Sequence, residues 1–191
     1  RPPRSTLFPY TTLFRSKSTA RLMSRIVVTP LSQLATQLAL HQPSHVVTLG
    51  SEESAALPDG FDAVRLSLTF NDIVEPRVGL VAPDESHVQA LLDFAKGWSM
   101  DTPLLIHCYA GISRSTAAAY IMASALNPAF DESELAGLVR NLSPSATPNL
   151  RLISLADEVL GRQGRMVAAI RAIGRGADAF EGEVFSLPVG C

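Results

Sequence analysis

The sequence predicts a single α/β domain with a mainly parallel central sheet flanked by helices, and three observations support this fold class. Short strand-like runs alternate with stretches of helical length along most of the chain, which is the arrangement of parallel sheets. One of these runs, PLLIHC at residues 103–108, is apolar throughout, as strands buried on both faces are. The chain has 191 residues, of which 47% are hydrophobic, so it can bury one ordinary core.

The first half of the chain contains three predicted strands and two predicted helices. They are, in order, a strand at 25–30, a helix at 31–41, a strand at 44–50, a strand at 61–70 and a helix at 84–98. Thr29 and Pro30 indicate the start of the first helix, because Pro is favoured at the first helical position. Apolar and polar residues alternate along 61–70, which is typical of a half-buried strand. Asp84 is a suitable N-cap for the second helix.

The second half contains the apolar strand at 103–108 and then mostly helices. Helices are predicted at 115–126, 131–141, 148–160 and 165–173. Asp131 and Glu134 have the spacing of a capping box, and Thr147 is the expected cap of the helix at 148–160. The last residues, FEGEVFSLPVGC at 180–191, show no clear helical or strand pattern.

The first 22 residues differ from the rest, because they contain five Lys or Arg residues and no acidic residue. This composition fits a transit peptide or a native disordered arm. The string STLFPYTTLFRS also resembles the translated sequencing adapter that contaminates some gene models. We favour this last interpretation, and we expect a non-native or disordered tail at 1–22 and a domain at 23–191 that starts with Met23.

Charge and cysteine content exclude several classes of protein. Without the five basic residues of the tail, 11 of the 16 Lys and Arg residues remain against 18 acidic residues, a net charge of −7. This balance argues against a nucleic-acid partner, which requires a basic face. No apolar run reaches the ~18 residues of a membrane span, so no membrane partner is expected. The two cysteines, Cys108 and Cys191, form no disulfide framework and favour a reducing, cytoplasmic compartment.

The segment HCYAGISRS, residues 107–115, carries the strongest functional signal. It joins the end of the apolar strand to an alanine-rich helix, and we refer to residues 108–114 as the cysteine loop. The backbone N–H groups of such a loop and of the following helical turn point the same way and form an anion site. Those N–H groups favour the charged form of a thiol, so we expect Cys108 to be a thiolate at neutral pH.

Neighbouring side chains complete this predicted site. Gly111 gives the loop backbone freedom and lets a ligand approach closely. Arg114 offers a planar guanidinium that suits two oxygens of a tetrahedral anion. Ser115 can donate a hydrogen bond to the thiolate and stabilise it as a leaving group. His107 is expected to hold the loop by hydrogen bonds rather than to act as a base.

HCYAGISRS resembles the H-C-x5-R-S signature of cysteine-dependent protein tyrosine and dual-specificity phosphatases, and is most similar to the A-G-x-S-R-S form of the dual-specificity branch. The segment VRNLSPSATPNLRLISL, residues 139–155, resembles that branch where a helix carrying Arg is followed by Pro-Asn and an apolar helix. The resemblance covers about residues 61–160. Its Pro-Asn match makes Asn149 an expected supporting residue.

The resemblance implies a reaction through a phosphocysteine intermediate, without a metal or a cofactor. Cys108 is then the nucleophile, and Ser115 assists breakdown of the intermediate. The guanidinium of Arg114 and a set of backbone amides would hold the phosphoryl group. Those amides belong to Tyr109, Ala110, Gly111, Ile112, Ser113 and Arg114.

The family also needs a general acid, which protonates the leaving oxygen, and position in the sheet favours Asp72. Reacting groups gather at the carboxyl ends of parallel strands. Asp72 follows the strand at 61–70 at this edge, 36 residues before Cys108, whereas Asp101 precedes its strand. A plain turn-forming role for Asp72 stays open, and Glu75 is the reserve candidate.

The expected substrate is a phosphorylated protein or a small phosphoester. The cysteine loop lacks the lysines found in the phosphoinositide phosphatases of this superfamily, so a phosphoinositide is less expected. Two other functions stay open. One is a sulfurtransferase or arsenate reductase, which uses a cysteine loop without needing Asp72, and the other is an inactive phosphate-binding module.

Overall fold

A five-stranded sheet lies at the centre of the computed structural model, which describes residues 25–52, 57 and 61–189. The tail predicted at 1–22, the proposed start at Met23, and Cys191 lie outside these described residues. The strands are β1 Arg25–Pro30, β2 His45–Gly50, β3 Val64–Thr69, β4 Leu104–Cys108 and β5 Phe185–Pro188.

The order of the strands across the sheet is β3-β2-β4-β1-β5. The first four are parallel to their neighbours, and β5 pairs antiparallel with β1. The predicted fold class, an α/β domain with a mainly parallel sheet, is therefore confirmed. Because the four parallel strands share one direction, their carboxyl ends lie at the same edge of the sheet.

Six α-helices and one 3₁₀ turn are present in the described part of the chain. They are the 3₁₀ turn Leu31–Gln33, α1 Leu34–His41, α2 Glu85–Gly97, α3 Arg114–Leu126, α4 Glu132–Leu142, α5 Leu150–Val159 and α6 Arg165–Ile173. The Asp84 side chain caps α2 by accepting from the N–H groups of Ser86 and His87, and the His87 ring completes a capping box. Among the described residues, no helix is both long enough and apolar enough to cross a bilayer.

The core has two parts because successive side chains of a strand point to opposite faces of the sheet. Ile26 of β1 packs into the larger cluster, which includes α2 and α3, whereas Val27 packs with Leu38 of α1 in the smaller one. In α3 every residue from Arg114 to Ser124 is buried. The small alanines of this helix let it lie close to the sheet, and its first turn therefore begins deep inside the domain.

Two predicted helix starts are wrong by a few residues. The chain after β1 first makes the 3₁₀ turn, so the α-helix begins at Leu34 rather than directly after Pro30. The helix predicted at 148–160 begins at Leu150, and its cap is Asn149 rather than Thr147. The Asn149 side chain accepts from the backbone N–H of Leu152 at 3.0 Å, a hydrogen bond that Asn makes well at this position.

The last strand, β5, lies in the segment for which the sequence shows no clear pattern. It has only four residues, which is too short for a periodic signal, and it ends at Pro188. Pro is tolerated on an edge strand because an outward position requires no N–H donor. Phe185 and Leu187 of β5 are both buried against the core.

His107 lies one residue before the cysteine loop and joins β4 to β2. Its Nε2 lies 2.9 Å from Thr48 Oγ1, so the ring holds the neighbouring strand, whereas we expected it to hold the loop. Burial, and secondarily the positive charge of Arg65, lower the pKa of His107 to about 4, against a smaller raising effect of the Cys108 backbone. The ring is therefore neutral at neutral pH.

The lowered pKa of His107 predicts a loss of stability in acid. Between pH 6.5 and about 4 the unfolded chain takes up a proton that the folded ring refuses, so acidification favours unfolding. We expect the free energy of unfolding to fall by about 3 kcal/mol from this group across that range. Above pH 6.5 the ring is neutral in both the folded and the unfolded state, so this group no longer makes the free energy of unfolding depend on pH.

Denaturant unfolding of the wild type and of His107→Gln at several pH values measures this contribution. The variant removes this titration, and any change in the bond to Thr48 adds a difference that does not depend on pH. The difference in unfolding free energy between the two proteins should change by about 3 kcal/mol between pH 6.5 and 4. A difference that is constant with pH would show that the ring does not resist protonation.

Candidate active site

The carboxyl ends of the four parallel strands meet around the cysteine loop. Cys108 is the last residue of β4, and Pro30, the last of β1, lies against Gly111. Ser51 and Phe70 follow β2 and β3, and both bind the side chain of Arg114. This edge is where parallel α/β sheets place their ligands, and the observed arrangement brings together residues separated by about half the chain.

Cys108 lies at the base of the loop, and the residue is only 4% exposed. Its Sγ lies 3.1 Å from Ser115 Oγ, and it accepts a hydrogen bond from the Gly111 N–H at 3.3 Å. Two donors can therefore stabilise negative charge on the sulfur. The described residues contain this one cysteine, and it is free.

The carbonyl groups of the cysteine loop are bound from outside the loop. Four of them accept a backbone hydrogen bond: Tyr109 O from Leu31 N at 3.0 Å, Ala110 O from Gly182 N at 2.8 Å, Ile112 O from Thr147 N at 2.9 Å, and Ser113 O from Asn149 N at 3.3 Å. In a planar trans peptide, the N–H points opposite to the C=O. The amides that follow these carbonyls are therefore turned towards the inside of the loop, as the Gly111 amide shows by reaching Sγ.

The amides turned inward provide hydrogen-bond donors at the position where the sequence predicts an anion site. They belong to Ala110, Gly111, Ser113 and Arg114, four of the six positions expected to hold a phosphoryl group. Arg114 is also the first residue of α3, so the positive end of this helix adds to the field of the amides. The loop can thus bind a tetrahedral oxyanion in front of the Cys108 sulfur.

Only glycine fits at position 111. Its φ angle is +73°, a left-handed conformation that other residues rarely adopt. A Cβ atom there would also lie 2.9 Å from the backbone N of Pro30, which is too close. The glycine lets the loop turn back over the end of β1 and direct its amide towards Cys108.

The guanidinium of Arg114 is held in place, and one of its donors has no partner within the described part of the chain. The side chain is buried, and its Nη1 donates to Ser51 Oγ and to the Phe70 carbonyl, each at 3.0 Å. Its Nε is buried without a hydrogen-bond partner among the described residues. A buried donor of a charged group is costly when unpaired, so this atom is suited to an oxyanion ligand.

Asp72 lies beside the cysteine loop, as its predicted position at the sheet edge requires. Its Oδ1 accepts from Ser113 Oγ at 2.8 Å and from Asn149 Nδ2 at 2.7 Å. The first bond joins the carboxylate to the loop, and the second joins it to the N-terminus of α5. Both donors use Oδ1, so Oδ2 stays available for a proton. Glu75 is exposed on the same segment, three residues further along.

The segment that carries Asp72 is closed at its base. The Asn71 N–H donates to the Val81 carbonyl at 2.7 Å, and the Val81 N–H donates to Asn71 Oδ1 at 2.8 Å. Arg151 Nε binds the Pro83 carbonyl at 2.6 Å and attaches the end of the segment to α5. Asp72 therefore lies next to a fixed point of this segment rather than at its tip.

Sequence reasoning missed the groups that hold the loop from outside. Leu31, Thr147 and Gly182 act through backbone N–H groups, which every residue except proline carries. The Phe70 carbonyl, which holds Arg114, is equally invisible in the sequence. Gly182 is distinguished by its close packing against Gly111, and such a contact cannot be identified from the sequence. Among residues 25–52, 57 and 61–189, no group of three or more His, Cys, Asp or Glu side chains could hold a metal ion.

Comparison with known proteins gives a fold but no sequence relative. No family model and no curated protein matches the sequence of the chain. Among solved structures, DUSP15 matches with a TM-score of 0.56 and 17% identity, covering 78% of this chain and 89% of DUSP15. Human DUSP28 matches with a TM-score of 0.56 and 16% identity, covering 72% and 94% of the two chains.

A third solved structure, PTPMT1 in complex with PI(5)P, matches with a TM-score of 0.54 and 15% identity. The match covers 80% of this chain and 96% of PTPMT1. Identities this low establish a shared fold and leave activity and substrate to be argued from the site itself. The chain has the fold of the dual-specificity phosphatases.

Proposed function

We propose that this chain is a cysteine-dependent phosphatase, which hydrolyses phosphomonoesters through a phosphocysteine intermediate. The observation that carries the proposal is the cysteine loop, where Cys108 lies beneath inward amides and beside Arg114 Nε, which has no hydrogen-bond partner in the part of the chain that the structure describes. Binding and chemistry both follow from this arrangement.

A phosphate group enters the loop with its oxygens towards the inward amides and the Arg114 guanidinium. Backbone N–H groups and a planar guanidinium are strong donors to a tetrahedral anion. Because Ser51 and the Phe70 carbonyl hold Nη1, the guanidinium needs no large movement to bind. In this proposed pose the phosphorus lies in front of Cys108 Sγ.

In the first step the Cys108 thiolate attacks phosphorus, and the bond to the leaving oxygen breaks. Asp72 donates the proton that the leaving oxygen needs, and Oδ2 is the atom that carries it. The hydrogen bonds from Ser113 and Asn149 to Oδ1 hold the carboxyl group at the edge of the loop. The products are the released alcohol or phenol and a phosphocysteine.

In the second step water attacks the phosphorus of the phosphocysteine, and the bond to sulfur breaks. Asp72, now a carboxylate, accepts the proton from the water. The leaving thiolate is stabilised by Ser115 Oγ and by the Gly111 N–H, which lie 3.1 Å and 3.3 Å from Sγ. Inorganic phosphate then leaves, and the site returns to its starting state.

The substrate we propose is a phosphorylated protein or a small phosphoester. Residues 109–113 of the loop contain no Lys or Arg, so the loop offers one site of positive charge, at Arg114. This supports a substrate with a single phosphate over a polyphosphorylated headgroup. The likeness to PTPMT1, whose structure contains PI(5)P, makes a phosphoinositide the control that an assay should include.

Two other functions receive less support from the site. A sulfurtransferase or arsenate reductase uses a cysteine loop but has no use for Asp72, which here is held against the loop by two hydrogen bonds. An inactive phosphate-binding module would not need a nucleophile, whereas Cys108, Arg114 and Ser115 are all present, and Ser115 Oγ lies 3.1 Å from Cys108 Sγ.

We expect Cys108→Ser to abolish turnover of an aryl phosphate, because a hydroxyl is a far weaker nucleophile than a thiolate. Binding of phosphate should survive, since the inward amides and Arg114 remain. Steady-state kinetics and calorimetry measure the two effects. The matched control is Cys191→Ser, which should keep wild-type turnover, and a metal chelator should also leave turnover unchanged. Turnover by the Cys108→Ser variant would exclude the covalent mechanism.

We expect Asp72→Asn to slow phosphopeptide hydrolysis by roughly 10²–10⁴-fold, or ~3–5 kcal/mol of barrier. The loss should be much smaller for an activated aryl phosphate, whose phenolate leaves without a proton. The falling basic limb of the pH–rate profile should flatten, because this limb reports loss of the Asp72 proton.

Glu75→Gln is the matched control for this prediction, because Glu75 is an exposed carboxylate of the same segment. It should leave both the rate and the basic limb unchanged. The opposite result, in which Glu75→Gln removes the limb and Asp72→Asn leaves it, would identify Glu75 as the acid. If neither change slows hydrolysis of a phosphopeptide, the proposed acid step is wrong.

A further inference from the structure

The segment between α6 and β5, residues 174–184, passes along the outside of the cysteine loop, and we refer to it as the strap. At one end it follows α6, and at the other it leads into β5, which pairs with β1. Ser32 Oγ donates to Glu181 Oε2 at 2.7 Å and attaches the strap to the turn after β1. The strap is therefore held at its two ends and also at Glu181.

The first half of the strap packs against the turn that precedes α5. The Ala177 N–H donates to the Pro144 carbonyl at 2.9 Å, and the Gly176 N–H donates to Thr147 Oγ1 at 3.0 Å. A Cβ atom on Gly176 would lie 2.5 Å from the Ser145 carbonyl oxygen. The two backbones are thus in direct contact, and the same turn supports the Ile112 carbonyl through the Thr147 N–H.

The second half of the strap reaches the cysteine loop itself at Gly182. The Gly182 N–H donates to the Ala110 carbonyl at 2.8 Å. A Cβ atom on Gly182 would lie 2.7 Å from the Gly111 carbonyl oxygen, which is a backbone atom without a flexible side chain to move aside. A residue larger than glycine would therefore push the strap and the loop apart.

One peptide unit connects this contact to the nucleophile. The Ala110 carbonyl accepts from Gly182, and the N–H of the same peptide, that of Gly111, donates to Cys108 Sγ at 3.3 Å. The peptide is planar, so the direction of its carbonyl sets the direction of its N–H. Rotation of the peptide away from Gly182 would also turn the N–H away from the sulfur.

We propose that Gly182 is a positioning residue, which fixes the Ala110–Gly111 peptide so that its N–H stabilises the Cys108 thiolate. The strap is then part of the site, although its residues touch neither the nucleophile nor the phosphate. The proposal rests on the proposed function for its importance in catalysis, but the effect on Cys108 can be measured without turnover.

Alkylation of Cys108 by iodoacetamide tests the proposal, because only the thiolate reacts. The rate is measured from pH 4 to 10, and peptide mass spectrometry separates Cys108 from Cys191. In Gly182→Ala the pH of half-maximal rate should rise by about one unit, which corresponds to loss of one hydrogen bond to a charged atom. A purely structural role would lower the melting temperature and leave this pH unchanged.

The matched control is Gly137→Ala. Gly137 lies within α4, and a Cβ atom there meets no atom within 4 Å, so the same change should leave the alkylation profile unchanged. Equal profiles for wild type and Gly182→Ala would overturn the proposal, and so would equal shifts in both glycine variants.

Ser32→Ala decides the question if Gly182→Ala does not fold. It removes an exposed hydrogen bond of the strap without adding an atom, so it should raise the pH of half-maximal alkylation by a smaller amount. No shift in Ser32→Ala would then overturn the proposal.

Turnover of an aryl phosphate by the wild type is measured in parallel. If the wild type turns over the substrate but the alkylation profile of the variant is not shifted, only the role of Gly182 is contradicted. If the profile is shifted but the wild type shows no turnover, only the phosphatase proposal is contradicted.

Discussion

The carbonyl groups of the cysteine loop are held on its outer side, and the proposed binding of an oxyanion depends on this arrangement. A short loop has as many acceptors as donors, and a random orientation of its peptides would present both to a ligand. Here four carbonyls are occupied by N–H groups from the turn after β1, the strap and the chain before α5. The N–H groups of the same peptides then point to the inside, where Cys108 Sγ accepts a hydrogen bond from the Gly111 N–H. The proposed roles of Cys108 as nucleophile and of the loop as anion site both depend on this separation of carbonyl and N–H groups.

The sheet supplies the rest of the arrangement. Four parallel strands end at one edge, and each contributes there: β4 ends in Cys108, β1 ends against Gly111, and the residues after β2 and β3 hold Arg114. The strand β5 pairs with β1 and so holds the end of the strap beside this edge strand of the parallel group. Reactive groups from distant parts of the sequence are thus brought together by strand direction, and loops of moderate length are enough to place them.

The sequence predicted what is encoded in side chains and periodicity. The alternation of strands and helices predicted the sheet, and the rule of strand ends placed Asp72 beside the cysteine loop, where Ser113 and Asn149 now bind it. Backbone donors could not be predicted, because Gly182 and Thr147 act through groups common to nearly all residues. The strand β5 was missed because four residues ending in Pro carry no periodic signal. The prediction chose Thr147 as the cap of α5, whereas the structure uses Asn149. Both residue types suit that role, so the sequence alone does not distinguish them.

A crystal structure of the protein with orthovanadate tests the central claim most directly. Vanadate has the shape of the transferred phosphoryl group and can bond to a thiolate. We expect it inside the cysteine loop, in front of Cys108 Sγ, with its oxygens accepting from the inward amides and from Arg114 Nε, and with the Ala110 carbonyl still bound to Gly182. Vanadate bound elsewhere, or a loop whose carbonyls face the bound anion, would contradict this account.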